Sequence, residues 1–249
     1  MNITVHTLAY NESLVIQFMI DHYRSRFPNC HIVVYDNKST DKTVEIAMAN
    51  NCEIREMDTG GVADEEICIN IKNSCWKNAN TDWVLVCDVD ELLDISEHEL
   101  SYEDSLGTTK IQSESWNMVN IEDNVDLSTI DRGWRDPKDQ RYCLNYDKEL
   151  LFNKNYVQEI NYNPGCHSNS ANGIIKNSNK RYPLLHYKYI NLNVFVEKQR
   201  VNRARDTEKQ RRNNWGGSCH GGDQVQITEY NRAKNNSVKI LFDHKFIHP

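Results

Sequence analysis

The sequence predicts an α/β fold: a mostly parallel, open, Rossmann-like sheet with helices on both faces, followed by a smaller antiparallel and irregular C-terminal part. Three observations lead there. Strand and helix patterns alternate from Ile3 to Leu93. The strand candidates are continuous apolar, β-branched runs, as suits strands covered on both faces. Beyond Leu93 the alternation stops, and polar stretches separate shorter strand patterns.

Ile3 to Leu8 reads as the first strand. From Glu12 to Phe27, apolar residues at Val15, Phe18, Met19 and His22/Tyr23 have helical spacing, and Pro28-Asn29 ends the helix. His31 to Tyr35 is a dense β-branched run and reads as a buried strand. Thr43 to Ala49 is a short helix with Asp41 or Thr40 as its cap. Glu53 to Met57 is a third strand. Glu65 to Lys77 is a helix, with Ile67, Ile71 and Cys75 four residues apart. Trp83 to Cys87 is again a strand.

In the second part, Ser96 and Glu99 have the spacing of a capping box. Lys110 to Val119 alternates as a strand, and Asn120 to Asp147 reads as an irregular loop region. Lys148 to Phe152 and Tyr156 to Ile160 are candidate antiparallel strands. Pro183 to Ile190 is another strand, followed by one helix from Asn191 to Arg212, a glycine-rich loop over 216–222, and a last helix near Gln224 to Lys234.

The 249 residues, 39% hydrophobic and 26% charged, suffice for a single domain spanning 1–249 with a substantial core. A net charge of −7 argues against general affinity for nucleic acid or anionic membrane. No apolar run approaches the roughly 18–20 residues that cross a bilayer. The start, Met1-Asn2-Ile3-Thr4-Val5, lacks the pattern of a signal peptide, so a soluble cytoplasmic or intracellular chain is expected. The eight cysteines include no C-x-x-C pair, which points to reduced core thiols rather than a zinc site.

Three strand ends carry polar clusters: Ala9-Tyr10-Asn11-Glu12, Asp36-Asn37-Lys38-Ser39-Thr40-Asp41 and Asp88-Val89-Asp90-Glu91. In a parallel sheet they lie along one edge, where ligands bind beyond the carboxyl ends of the strands. Asp88 and Asp90 alternate at a strand end and therefore point to one side. Carboxylates this close repel one another, and a hard divalent cation, Mn²⁺ or Mg²⁺, that also holds a diphosphate is their natural partner. Asp36, at a strand tip, is placed to accept hydrogen bonds from a base or ribose.

The Asn11-Glu12 segment, the Tyr35-to-Asp41 segment and Asp88-Val89-Asp90-Glu91 together resemble family 2-type glycosyltransferases of the GT-A fold. The resemblance covers about the first 95 residues. It extends more loosely to Gly165-Cys166-His167 and to His186-Tyr187-Lys188-Tyr189 with the following Phe195 and Lys198. It implies a nucleoside-diphosphate sugar donor, a UDP-sugar in particular, a divalent metal, and a glycan, a protein-linked sugar or another hydroxyl as acceptor.

The resemblance divides the domain into a nucleotide-sugar half over 1–95, an acceptor and metal-completing half over 96–213, and a C-terminal loop and helix over 214–249. It implies donor contacts from Ala9, Tyr10, Asn11, Glu12, Asp36, Asn37, Ser39, Asp88 and Val89. Asp90, Asp88 and His186 would be metal ligands, with Asp90 central to catalysis. Lys198 or Arg200 would meet the diphosphate.

The residues themselves leave the acceptor side open. Glu114 is a candidate general base, with Asp123, Asp131 and Asp136 as others, and Trp116 and Trp134 can stack on sugar rings. Two other readings compete. A nucleotidyltransferase acting on sugar phosphates would carry a glycine- and basic-rich loop after the first strand, which Thr7 to Glu12 lacks. A non-catalytic glycan-binding protein on the same fold would have no need of Asp88, Asp90 and His186. A dinucleotide-binding dehydrogenase is disfavoured because no G-x-G-x-x-G follows the first strand.

Overall fold

The computed structural model describes residues 1–122, 124–135, 147–215 and 220–240. Four parallel strands form the N-terminal sheet: β1 (Ile3–Ala9), β2 (His31–Asp36), β3 (Glu53–Glu56) and β4 (Trp83–Asp88). Their spatial order is β4-β1-β2-β3. All seven residues of β1 are buried, as expected of a strand flanked on both sides and covered on both faces. The connecting helices are α1 (Ile16–Arg26), α2 (Thr43–Ala49) and α3 (Glu65–Ser74). Helix α1 packs Ile16, Met19, Ile20 and Tyr23 into the main core, while Ile67 and Ile71 of α3 cover a separate cluster around Leu8, Val33 and Tyr35.

Helix α1 starts at Ile16, four residues later than the sequence pattern suggests. The backbone carbonyl of Glu12 accepts from the amides of both Val15 and Ile16, so the intervening residues form a turn. Asp41 does serve the start of α2 by accepting from the Thr43 amide at 2.9 Å, although the N-cap position itself is Lys42.

After β4 the chain makes β5 (Glu91–Leu93) and α4 (Glu97–Ser105), whose Ser96–Glu99 capping box is present as read from sequence. Strand β6 (Lys110–Val119) has the predicted limits. The irregular region after it contains a strand that the polar sequence concealed, β7 (Arg132–Trp134), paired with β6. Strand β8 (Leu151–Asn153) joins β4 antiparallel, with Leu85 opposite Leu151. A small second sheet pairs β9 (Val157–Glu159) with β10 (Asn172–Gly173).

Strand β11 (Asn177–Tyr189) is longer than its apolar core predicts. It runs parallel to β6 and antiparallel to β5, which sets His186 opposite Asn117 on one side and Glu91 on the other. The helix expected over Asn191 to Arg212 is two helices: α5 (Leu192–Arg205) and α6 (Glu208–Asn213). Asp206 is extended, and Thr207 caps α6 in a reciprocal box with Gln210, which stops one helix and starts the other. The final elements are α7 (Asp223–Asn236) and β12 (Val238–Lys239). Among the described residues no helix is long and apolar enough to cross a membrane. Cys30, Cys52, Cys68, Cys75, Cys87 and Cys166 are free thiols; Cys143 and Cys219 lie outside the described residues.

Candidate active site

The three polar clusters meet at one edge of the sheet. The loops after β1 and β2 are laced together: the Asn11 amide donates to Ser39 Oγ at 2.9 Å, the Thr40 amide to Asn11 Oδ1 at 2.8 Å, and the Glu12 amide to Thr43 Oγ1 at 2.8 Å. Asn11 has φ +53°, a left-handed conformation that asparagine tolerates. Asn11, Ser39 and Asp41 thus build the loop pair and fix the backbone of Glu12. The Asp36 carboxylate accepts from the Ser39 amide at 3.1 Å, so part of its bonding capacity is spent on its own turn.

The segment after β4 is anchored from below. Tyr23 of α1 donates its hydroxyl to the Glu91 carbonyl at 2.8 Å and accepts from the Leu93 amide at 3.2 Å, and His22 Nε2 lies 2.9 Å from the Leu93 carbonyl. Val89, 1% exposed, points into the core. Asp88 ends β4, and Asp90 follows in the turn beyond Val89.

They have different partners. Asp88 meets two buried lysines, Lys72 Nζ at 2.6 Å and Lys148 Nζ at 3.3 Å; Lys148 also reaches Glu91 at 2.5 Å. Burial opposes the charge of Asp88, but Lys72 and Lys148 outweigh it and hold the carboxyl well below the usual range. Asp90 meets Lys198 Nζ at 3.0 Å and faces His186 Nε2 at 3.6 Å. Burial again opposes ionisation, and Lys198 with His186 overcomes it. The other side of Lys198 touches Glu12 at 2.8 Å. One ammonium thus serves two carboxylates. Burial, only partly relieved by Lys198 and reinforced by Asp90, pushes Glu12 up to about 7. His186 Nδ1 lies 3.0 Å from Asn117 Oδ1, a contact that turns Nε2 toward Asp90.

Of the expected metal set, the structure brings Asp90 and His186 face to face. Two ligands about 2.1 Å from one octahedral ion lie about 3–4 Å from each other, so this pair fits two corners of a coordination shell. Asp88 does not join them, because two ammonium groups occupy its oxygens. Among the described residues no three His, Cys, Asp or Glu side chains converge on a common point.

Beside Asp88 opens a cleft of about 300 Å³ whose lining includes Ala9, Tyr10, Asn37, Asp88, Arg205 and Asp206. The Arg205 guanidinium lies 3.4 Å from the Tyr10 ring centroid and donates to the carbonyls of Gly61 and Val62. The Asn37 amide orientation that suits all its neighbours puts its oxygen 2.7 Å from Arg205 Nη2.

Other expected residues lie elsewhere. Arg200 does not approach Asp90; its guanidinium binds Glu197 and Asp223 on the exposed side of α5. Glu114 lies 3.8 Å from Arg135, and its odd offset from Asn117 along β6 puts it on the opposite face of the sheet from His186's partner. Asp131 pairs with Lys239 at the sheet margin, and Trp134 is a packing residue against Tyr189. Asp123, Asp136 and residues 216–219 lie outside the described residues. His167 follows a 3-10 turn (Pro164–Cys166) that packs on α3. Burial, helped by the charges of Lys148 and His186, pushes it down to about 3. Sequence reading missed Lys72, Lys148, Asn117 and Arg205. Lys72 carried a faint signal as a charge within an apolar helical stripe; the others come from distant segments that only the sheet register brings in.

Comparison with known proteins places the N-terminal half. Residues 4–99 match the family described as Glycosyl transferase family 2. The family 2 segment spans β1 to the first turn of α4 and contains every strand-end cluster described above. It is also similar to Protein RfbJ of Shigella flexneri, with 27% identity over 95 residues, covering 38% of this chain and 69% of that one. Beyond the family 2 segment, solved structures with similarity include S. aureus TarS 1-349 in complex with UDP-GlcNAc, at 15% identity and a TM-score of 0.49 over 93% of this chain and 72% of that one. A second is glucosyl-3-phosphoglycerate synthase from Mycobacterium tuberculosis, at 22% identity and a TM-score of 0.30 over 47% and 44%. The likeness to glycosyl transferases thus rests on residues 4–99 of a mixed α/β chain.

Proposed function

We propose that the protein transfers a sugar from a nucleoside-diphosphate sugar, with UDP as the nucleotide, to a glycan or another hydroxyl acceptor, with the help of a divalent cation. The observation that carries this reading is the pairing of a 300 Å³ cleft, lined by Tyr10, Asn37 and Asp88, with an Asp90–His186 pair that begins two residues after Asp88 in the chain. A nucleoside in the cleft would meet Tyr10 at the ring face that Arg205 leaves open, with polar edges at Asn37 and Asp206. Its ribose and diphosphate then run past Asp88 toward Asp90.

Each residue has a physical task. Tyr10 offers a stacking surface, worth about 1–3 kcal/mol per base in comparable settings. Asp88, held ionised and fixed by Lys72 and Lys148, can accept hydrogen bonds from ribose or sugar hydroxyls. Asp90 and His186 would hold Mn²⁺ or Mg²⁺, which when bound stabilises the charge of the departing nucleoside diphosphate. Lys198 is the nearest organic cation and can add a charge-assisted bond to a phosphate oxygen.

The direct test is a screen of nucleoside-diphosphate sugars for Mn²⁺-dependent binding and slow donor hydrolysis. Binding of a UDP-sugar that strengthens with Mn²⁺ is expected. Absence of binding to every donor, with and without metal, would overturn the reading.

A further inference from the structure

The lysines around the two aspartates differ in freedom. Lys72 and Lys148 are 8% and 7% exposed, enclosed by protein and committed to Asp88 and Glu91. Lys198 is 37% exposed, although both carboxylates that it bridges, Glu12 at 15% and Asp90 at 14%, are largely covered. It projects from α5, which is anchored by Phe195, Val196 and Gln199, so its four-carbon stem can swing outward without any backbone movement.

The ammonium also lies where the site's negative charge converges, between Glu12 and Asp90, on the same Asp90 oxygen that His186 Nε2 faces. A divalent ion on Asp90 would lie close to that ammonium. At such separation, two cations repel by several kcal/mol even at an effective dielectric constant of about 20. Metal and ammonium are therefore competitors for Asp90.

We infer that Lys198 is a displaceable internal counter-ion: its ammonium fills the cation position between Glu12 and Asp90 in the free protein, and leaves when a divalent metal binds Asp90 and His186. This rests on the metal-dependent reading above and adds an order of events to it. The donor's diphosphate supplies the negative charge that receives the released ammonium, so metal and donor bind cooperatively, each assisting the other. The free protein accordingly binds metal weakly, and the site completes itself only when the anionic donor arrives.

The test uses the full chain and Mn²⁺ alone, by titration calorimetry or by the electron paramagnetic resonance signal of free Mn²⁺. Lys198→Met removes the competitor but keeps the stem; it should tighten Mn²⁺ binding at least about tenfold while weakening binding of the nucleoside-diphosphate sugar. A merely structural lysine would move both affinities the same way. Lys198→Arg, which keeps the charge, should stay near the wild-type Mn²⁺ affinity. Lys198→Gln provides a second neutral variant should the methionine variant fold poorly. Unchanged or weaker Mn²⁺ binding in the folded neutral variants would overturn the proposal, as would undetectable binding in all of them. Donor binding without metal separates this failure from that of the glycosyltransferase reading, which stands or falls on the donor.

Discussion

Asn117 holds His186: the amide oxygen on β6 lies 3.0 Å from Nδ1 of the histidine on β11, and their registry in the parallel pair makes the contact. Outer partners of this kind fix the tautomer and aim of a ligating imidazole, and their loss costs about 10–100-fold in affinity or activity. Asn117→Ala should lower turnover within that range at little cost in thermal stability. Asn117→Asp, which still accepts from Nδ1, should retain most activity. Equal loss in both variants would remove the positioning role.

Asp90 is expected to be indispensable. Asp90→Ala should abolish metal-dependent turnover, by about a hundredfold or more, while circular dichroism and the melting transition stay close to wild type. Among the described residues the Asp90 carboxylate meets Lys198 and His186, and its backbone carbonyl accepts from the Tyr187 amide at 2.8 Å. Unchanged donor hydrolysis in the variant would remove Asp90 from the mechanism.

Lys148 should be primarily a stability residue. It neutralises Glu91, which is 3% exposed, and also touches Asp88. Removing one partner of a buried ion pair costs about 3–5 kcal/mol, because the other charge is left stranded. Urea denaturation of Lys148→Met should show a loss of that order. Lys148→Met combined with Glu91→Leu should recover part of it, and strict additivity of the two losses would sink the pairing argument.

Tyr10 should matter for donor binding rather than for folding. Tyr10→Ala is expected to weaken nucleoside-diphosphate sugar binding about tenfold or more, and Tyr10→Phe to preserve it, since stacking needs only the ring face. Titration of the same donor into the three proteins decides the point. Equal affinity in all three would place the base elsewhere.

His22 supplies a pH dependence. The side chain is 1% exposed, and burial pushes its pKa from the ordinary imidazole value down to about 4. The unfolded chain thus takes up a proton at higher pH than the folded one. This group's contribution is fully present above the ordinary imidazole pKa and is lost as pH falls toward 4. His22→Gln should flatten the stability profile across that window; an unaltered profile would contradict it.

Much of the N-terminal half was legible because its strands are buried on both faces and announce themselves as apolar runs, and because the strand-end rule points to Asp36, Asp88 and Asp90 without any knowledge of contacts. His186 was reachable by family likeness. What escaped was whatever depends on pairing between distant segments. Strand β7 hides in polar sequence, since two of its three residues are Arg132 and Gly133. The break between α5 and α6 follows from a local cap at Thr207 that the run of basic residues masks. The lysines on Asp88 come from positions 72 and 148, and no spacing rule joins them.

Strand β8 occupies the outer edge of β4, with Trp83 opposite Asn153 and the Val86 amide donating to the Leu150 carbonyl at 2.9 Å. The stretch that carries the family signature therefore borrows a strand from outside itself. Cut off near residue 99, it would expose a row of unpaired amides and carbonyls along an apolar strand, the kind of edge that templates aggregation. The heritable unit of this fold is thus larger than its recognisable motif. A chimera that exchanges the C-terminal half must carry residues 150–153 with the N-terminal graft to keep that edge paired.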